Sequence, residues 1–208
     1  RPVSKVVFMG MGEPSHNLDN VLEAIELLGT LGGIGHKNLV FSTVGDLRAF
    51  ERLPQGAVKP ALAISLHTTD AELRARLLPR APRLAPAELA ALGEAYAQTT
   101  GYPIQYQWTL LEGVNDSDAE VERIAALLAG KYAMMNFIPF NQVDGAGYAR
   151  ASAERAAALV VALRQRGIVA CLRDSAGQDV DGGCGQLRAR TQAGEVAVRR
   201  VRGPRAAD

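Results

Sequence analysis

The stretch KVVFMGMGEPSHNLDNVLEAIELLGTLGG (Lys5–Gly33) carries one complete structural unit. Lys5–Met9 is an apolar run of strand length. Gly10–Pro14 is a glycine-rich turn. Asn17–Leu31 has the periodicity of an amphipathic helix and stops at Gly32-Gly33. The unit recurs along the chain. Asn38–Thr43, Pro60–Leu66, Ile104–Leu111, Ala133–Pro139 and Ile168–Arg173 read as further strands. A short helix from Asp46, then Asp70–Leu78, Pro86–Gln98, Asp116–Ala129 and Ser152–Arg166, read as the intervening helices. Pro82 and Pro86 punctuate the middle pair, and Ser117 or Asp116 is positioned to cap the helix after the fourth strand. Strands alternating with helices indicate an α/β fold with a parallel sheet. Regular repetition without a Gly-x-Gly-x-x-Gly turn favours a βα barrel, complete or partial, over a dinucleotide-binding sheet.

Working outward, polar or glycine-rich residues recur where the strands end: Gly10–Glu13, Ser42-Thr43, Ser65–His67, Asn115 and Asn141. In a parallel barrel these ends share one face, where active sites form. No internal repeat or dividing linker is evident. Hydrophobic residues make up 48% of the 208 and charged residues 22%, the composition of a globular domain with a sizeable core. A formal charge of +1 neither demands nor excludes a nucleic-acid partner. Its distribution is uneven, because Arg188, Arg190, Arg199, Arg200, Arg202 and Arg205 face only Glu195 and Asp208. That tail is either a phosphate-contacting surface or a solvated, fraying terminus. No stretch has the length and apolarity of a membrane helix, and no signal peptide is seen. The two cysteines are too few for a secreted disulfide scaffold, so a cytoplasmic location is expected. The first strand begins almost at once, which leads us to expect further sequence upstream.

Four constellations could carry chemistry. In Gly10-Met11-Gly12-Glu13-Pro14 the glycines let a ligand approach the backbone and the carboxylate can accept from an ammonium group; a tight βα turn explains the same residues. Ser65-Leu66-His67 ends the third strand. Adjacent strand residues face opposite sides, so a polar ligand-binding strand end is a better reading than a Ser–His hydrolase pair, with a capping histidine as the competitor. His16 and His36 have no metal-ligand spacing. Asp179–Leu187 places Cys184 between glycines, on an accessible backbone suited to a nucleophile, or simply in a glycine turn. Cys171 sits in an apolar run and reads as an inert core thiol. Two cysteines cannot complete a four-thiolate zinc or iron–sulfur site, so no metal is expected to be bound wholly within this chain. Gly113-Val114-Asn115-Asp116-Ser117 reads as a helix-start turn.

Taken together, VVFMGMGEP (Val6–Pro14), FSTVG (Phe41–Gly45), ALAISLH (Ala61–His67), GVND (Gly113–Asp116), NFIPFN (Asn136–Asn141) and DVDGGCGQL (Asp179–Leu187) resemble the RlmN/Cfr family of radical S-adenosylmethionine (SAM) RNA methyltransferases. The segments stand in the family's order and span nearly the whole chain to Leu187. The resemblance implies a partial parallel βα (TIM-like) barrel of the radical SAM type. Residues 1–187 would form the C-terminal part of its core and residues 188–208 a basic tail. It implies that Gly12, Glu13, Ser42, Ser65, Leu66, His67 and Asn141 contact SAM, and that Cys184 receives the methyl group. It also implies a [4Fe–4S] cluster whose Cys-x-x-x-Cys-x-x-Cys ligands lie upstream of the first matching strand. An RNA substrate, an electron donor such as flavodoxin and a monomeric state complete the expectation. This chain alone would then bind no cluster and be inactive.

The family chemistry explains the need for a carrier thiol. Adenine C2 is electron-poor and has no lone pair to attack a sulfonium, so direct displacement fails. In the family, a first SAM methylates the cysteine thiolate, and a radical generated from a second SAM activates that methyl for addition to the base. The target adenine must leave its stack. The closest branch is the adenine-C2 one, acting on 23S rRNA with transfer RNA as a second substrate; the C8-methylating branch is the alternative. Gly182-Gly183-Cys184 stands where the family usually has Ala-Ala-Cys, and Asn141–Tyr148 departs from a more proline-rich loop. Both bear on the RNA substrate and leave room for a paralogue acting on another RNA. A non-catalytic RNA-binding barrel is the reading from a different class.

Overall fold

The computed structural model describes residues 2–9, 12–141 and 147–173. Six strands, β1 (Val6–Phe8), β2 (Leu39–Thr43), β3 (Ala61–Ser65), β4 (Ile104–Leu110), β5 (Ala133–Pro139) and β6 (Val169–Leu172), form one sheet in the order of the chain. Every neighbouring pair is parallel. Each connection steps one strand over without reversing. Right-handed crossovers of that kind keep the helices on one face of the sheet, unlike a doubly wound fold in which the order reverses. Among the described residues β1 and β6 are the outermost strands, an order that fits a partial barrel.

The helices are α1 (Leu18–Thr30), α2 (Leu47–Arg52), α3 (Ala71–Leu77), α4 (Pro86–Thr100), α5 (Asp118–Leu128) and α6 (Ala153–Gln165). Their starts follow from local chemistry. Asp46, Asp70, Ser117 and Ser152 each accept a hydrogen bond from a backbone N–H of the first turn. Pro86 opens α4 and Gly101 closes it at φ 71°.

Alternate strand residues separate the two faces. Leu39, Phe41, Leu62, Ile64, Ile104, Tyr106, Trp108, Met135 and Phe137 join the apolar core with Ile25, Leu89, Ile124, Leu159 and Leu163 from the helices. Trp108 and Phe137 meet edge to face, with ring centroids 6.3 Å apart. The residues between them face the inside of the curve and are different in kind. Val40, Ala61 and Ala63 form a small separate cluster. Beside them the register aligns Ser65, Gln107, Asn136 and Cys171 across β3 to β6. An apolar outer face and a small, polar inner face are what a barrel with a ligand in its mouth requires.

Candidate site at the carboxyl ends of the strands

Parallel strands put all their carboxyl ends on one edge, and side-chain links tie those ends together in sequence. Glu13 follows β1. Its Oε2 accepts from the Val44 N–H at 2.9 Å, joining the end of β1 to the end of β2. Its Oε1 accepts from Ser15 Oγ at 2.7 Å and Ser15 N at 3.3 Å, capping the short 3-10 turn Pro14–Asn17. Gly12, beside it, has open space where a Cβ would stand. Ser42 lies in β2, buried, on the inner face beside Ala63. Thr43 Oγ1 accepts from Gly45 N at 3.0 Å and Asp46 N at 3.3 Å, turning the chain into α2. Gly45 is required there, because φ is 109° and a Cβ would come within 2.5 Å of Leu89 Cδ2.

Arg74 makes the next link. It sits in α3, only 3% exposed, and its Nη2 donates to the carbonyls of Val44 at 2.5 Å and Ser65 at 3.2 Å. One guanidinium thereby bridges the ends of β2 and β3. Its Nη1 reaches Pro82 O at 3.5 Å, and its buried Nε has no partner among the described residues. Desolvation lowers its pKa from the ordinary value. The α3 sequence gives no hint of this burial, since Glu72, Arg74 and Arg76 alternate as on an exposed face.

At β3 the three sequence-selected residues separate. Ser65 is the last strand residue and faces inward. The side chain of Leu66 is fully buried in the apolar core, which leaves only its backbone for a ligand. His67 is already off the strand, at φ 62°, the only non-glycine residue with positive φ among the described residues. Its Nδ1 accepts from the Thr109 N–H at 2.9 Å. Burial first, and the Arg74 charge second, push its pKa down to about 4. A neutral imidazole bonded in this way keeps its proton on Nε2 and acts as a donor.

The third link is Asn115, read from the sequence as a simple turn residue. It is 1% exposed, and its Nδ2 donates to His67 O at 2.7 Å and Thr109 O at 2.8 Å. Its Oδ1 accepts from Leu111 N at 2.8 Å, and its own carbonyl accepts from Trp108 Nε1 at 3.1 Å. Glu120, on α5 and 3% exposed, holds the following loop by accepting from Thr68 Oγ1 at 2.6 Å, Thr69 N at 3.3 Å and the Thr69 hydroxyl.

Asn141 stands two residues beyond β5, and its buried Oδ1 has no hydrogen-bond donor among the described residues. A buried orphan acceptor is costly unless a ligand or water supplies the proton. SAM carries such donors in its ammonium, ribose hydroxyls and adenine amino group, so the strand-end residues fit it. An iron–sulfur cluster fits differently. The chain's two cysteines cannot supply the three thiolates such a cluster needs, and no metal-binding group of His, Cys, Asp and Glu occurs among the described residues. Cys171 is also not the core residue its sequence suggests. It is half-buried on the inner face, and its thiol donates to Asn136 Oδ1 at 2.8 Å. Cys184, the Asp179–Leu187 segment and the arginine-rich tail lie outside the described residues.

No family model matches the chain. A probable RNA methyltransferase of Aromatoleum aromaticum is 75% identical over 190 residues, which are 91% of this chain and 54% of that protein. A probable RNA methyltransferase of Methylibium petroleiphilum is 72% identical, over 93% of this chain and 55% of that protein. Among solved structures, a radical SAM methyltransferase from Sphaerobacter thermophilus superposes with a TM-score of 0.85 at 37% identity, covering 91% of this chain and 56% of that one. The chain thus spans about half the length of the curated relatives it matches, and it has the fold of the corresponding part of the solved methyltransferase.

Proposed function

We propose that this chain is the SAM-binding and methyl-carrying part of a radical SAM RNA methyltransferase, acting on C2 of adenine in 23S rRNA and in transfer RNA through Cys184. The observation that supports it most is spatial. Glu13, Ser42, Ser65, His67 and Asn141, chosen from separate sequence motifs, stand at one edge of a parallel sheet whose fold matches a radical SAM methyltransferase. Relatives about three-quarters identical carry the name of probable RNA methyltransferases.

Each residue has a task in this reading. Glu13 has lone-pair capacity left beyond its three accepted hydrogen bonds and takes the ammonium of the methionine moiety. Asn141 Oδ1, which has no donor among the described residues, takes a ligand proton. Ser65 and His67 offer a hydroxyl and an Nε2–H. The alanines at positions 61 and 63 leave room inside the sheet. Bound SAM supplies the methyl group and, with a cluster whose ligands come from outside this chain, the radical. Cys184 supplies the nucleophilic thiolate that accepts the methyl.

The deciding experiment is mass spectrometry of nucleosides from rRNA and tRNA of cells with and without the intact gene. Loss of 2-methyladenosine on deletion is the expected result. Loss of 8-methyladenosine instead would replace the C2 assignment with C8. Unchanged adenine methylation in both RNA pools would overturn the enzyme reading.

A further inference from the structure

We propose that Asn115 is a positioning residue that fixes His67 as an Nε2–H hydrogen-bond donor for the ligand of the strand-end site. The ligand's identity as SAM rests on the function proposed above; the positioning itself rests on geometry alone.

The tautomer follows from one contact. A backbone N–H has a single hydrogen, and that of Thr109 points at His67 Nδ1 from 2.9 Å. Nδ1 must therefore present its lone pair, and the ring proton sits on Nε2. His67 Nε2 has no partner among the described residues, so this donor remains available. The low pKa caused by burial keeps the ring neutral, consistent with an accepting Nδ1.

That contact exists only because the backbone of His67 is turned to φ 62°. A non-glycine residue holds this conformation when its surroundings compel it. Asn115 is the group that compels it. Both hydrogens of its Nδ2 are committed, one to His67 O and one to Thr109 O, so a single carboxamide clamps the residue after β3 to the strand beside it. The clamp cannot swing away, since Leu111 N holds its Oδ1 and the buried Trp108 indole holds its carbonyl. Aspartate would keep the Leu111 bond and lose both donors. Without them His67 O is released, the backbone can return to negative φ, and the ring leaves Thr109.

His16 and His36 of the same chain serve as controls, each signal assigned by its loss in His16→Gln, His36→Gln or His67→Gln. The full-length protein would be labelled with 15N-histidine, and tautomers read from two-bond proton–nitrogen correlations at neutral pH. Wild-type His67 is expected as a single Nε2–H tautomer. In Asn115→Asp and Asn115→Ala it should become a mixture, with His16 and His36 unchanged. Wild-type His67 found mixed or protonated on Nδ1 overturns the proposal, even if both variants fail to fold. So does a folded variant that retains the pure Nε2–H form. SAM binding by equilibrium dialysis is the second readout. Asn115→Asp and His67→Ala should each weaken binding at least about tenfold, and the double variant should be no weaker than the worse single one, as for two residues acting as one unit. Fully additive losses would overturn the coupling. A wild type that binds no SAM overturns the functional reading, while the tautomer result still decides the role of Asn115.

Discussion

At the scale of single residues, the site depends on groups withdrawn from water. Arg74 has no carboxylate within ion-pair distance among the described residues; its charge is met by the carbonyl dipoles of Val44, Ser65 and Pro82. Arg74→Met keeps the aliphatic stem and orphans these acceptors, so it should destabilise the fold by about 2–4 kcal/mol in denaturant melts. The same substitution removes the positive charge that helps hold down the His67 pKa, which should move up from about 4 toward its ordinary value in an NMR titration. His67 also makes stability depend on pH. Its neutral form is favoured in the folded chain, so as pH falls below 6.5 the unfolded chain takes up the proton first. Stability should be level above that pH and decline between 6.5 and 4, by up to about 3 kcal/mol. His67→Asn, which tolerates positive φ, should flatten this decline in urea melts run across that range. Little of this was legible in the sequence. Arg74 and Asn115 sit in segments whose patterns suit an exposed helix and a polar turn, and only the contacts from other strands show them buried. Cys171 misled for a related reason. Its apolar neighbours suggested a core position, whereas strand parity turns it to the inner face.

At the scale of elements, sequence and structure agree closely, and the reasons are local. Each strand of the sequence reading is found, with ends shifted by at most one residue, because apolar runs were bounded by glycine, proline or capping residues. Ser117, one of two cap candidates for α5, is the one used: its Oγ accepts from Glu120 N at 3.3 Å. Ser117→Ala should therefore cost about 1 kcal/mol in thermal melts, and it should leave the His67 tautomer untouched. α4 poses a sharper test. Ala-for-Gly in a helix normally stabilises by about 1 kcal/mol. At Gly93, however, a Cβ would come within 2.7 Å of Tyr106 Oη and 3.2 Å of Ile64 Cδ1, both on the sheet. Gly93→Ala should push α4 off β3 and β4 and lower stability by about 1–3 kcal/mol, measured as the shift in denaturation midpoint. A stabilised variant would mean that the helix docks more loosely than the structure shows.

At the scale of the whole molecule, the partial barrel was legible because alternation of strand and helix leaves few topologies. What the alternation could not show is that the carboxyl ends are laced together from β1 to β4 by Glu13, Arg74 and Asn115. On the proposed function, Cys184 carries the methyl group and takes no part in holding SAM. Cys184→Ala in the full-length protein should abolish RNA methylation while SAM binding and melting temperature stay unchanged; retained turnover would remove Cys184 from the chemistry. The strand order has a further consequence. Each new strand pairs beside the one made just before it, and none must be inserted between two already in place. The sheet can therefore grow by accretion as the nascent chain leaves the ribosome, one βα unit at a time, with every step extending an edge that is already waiting.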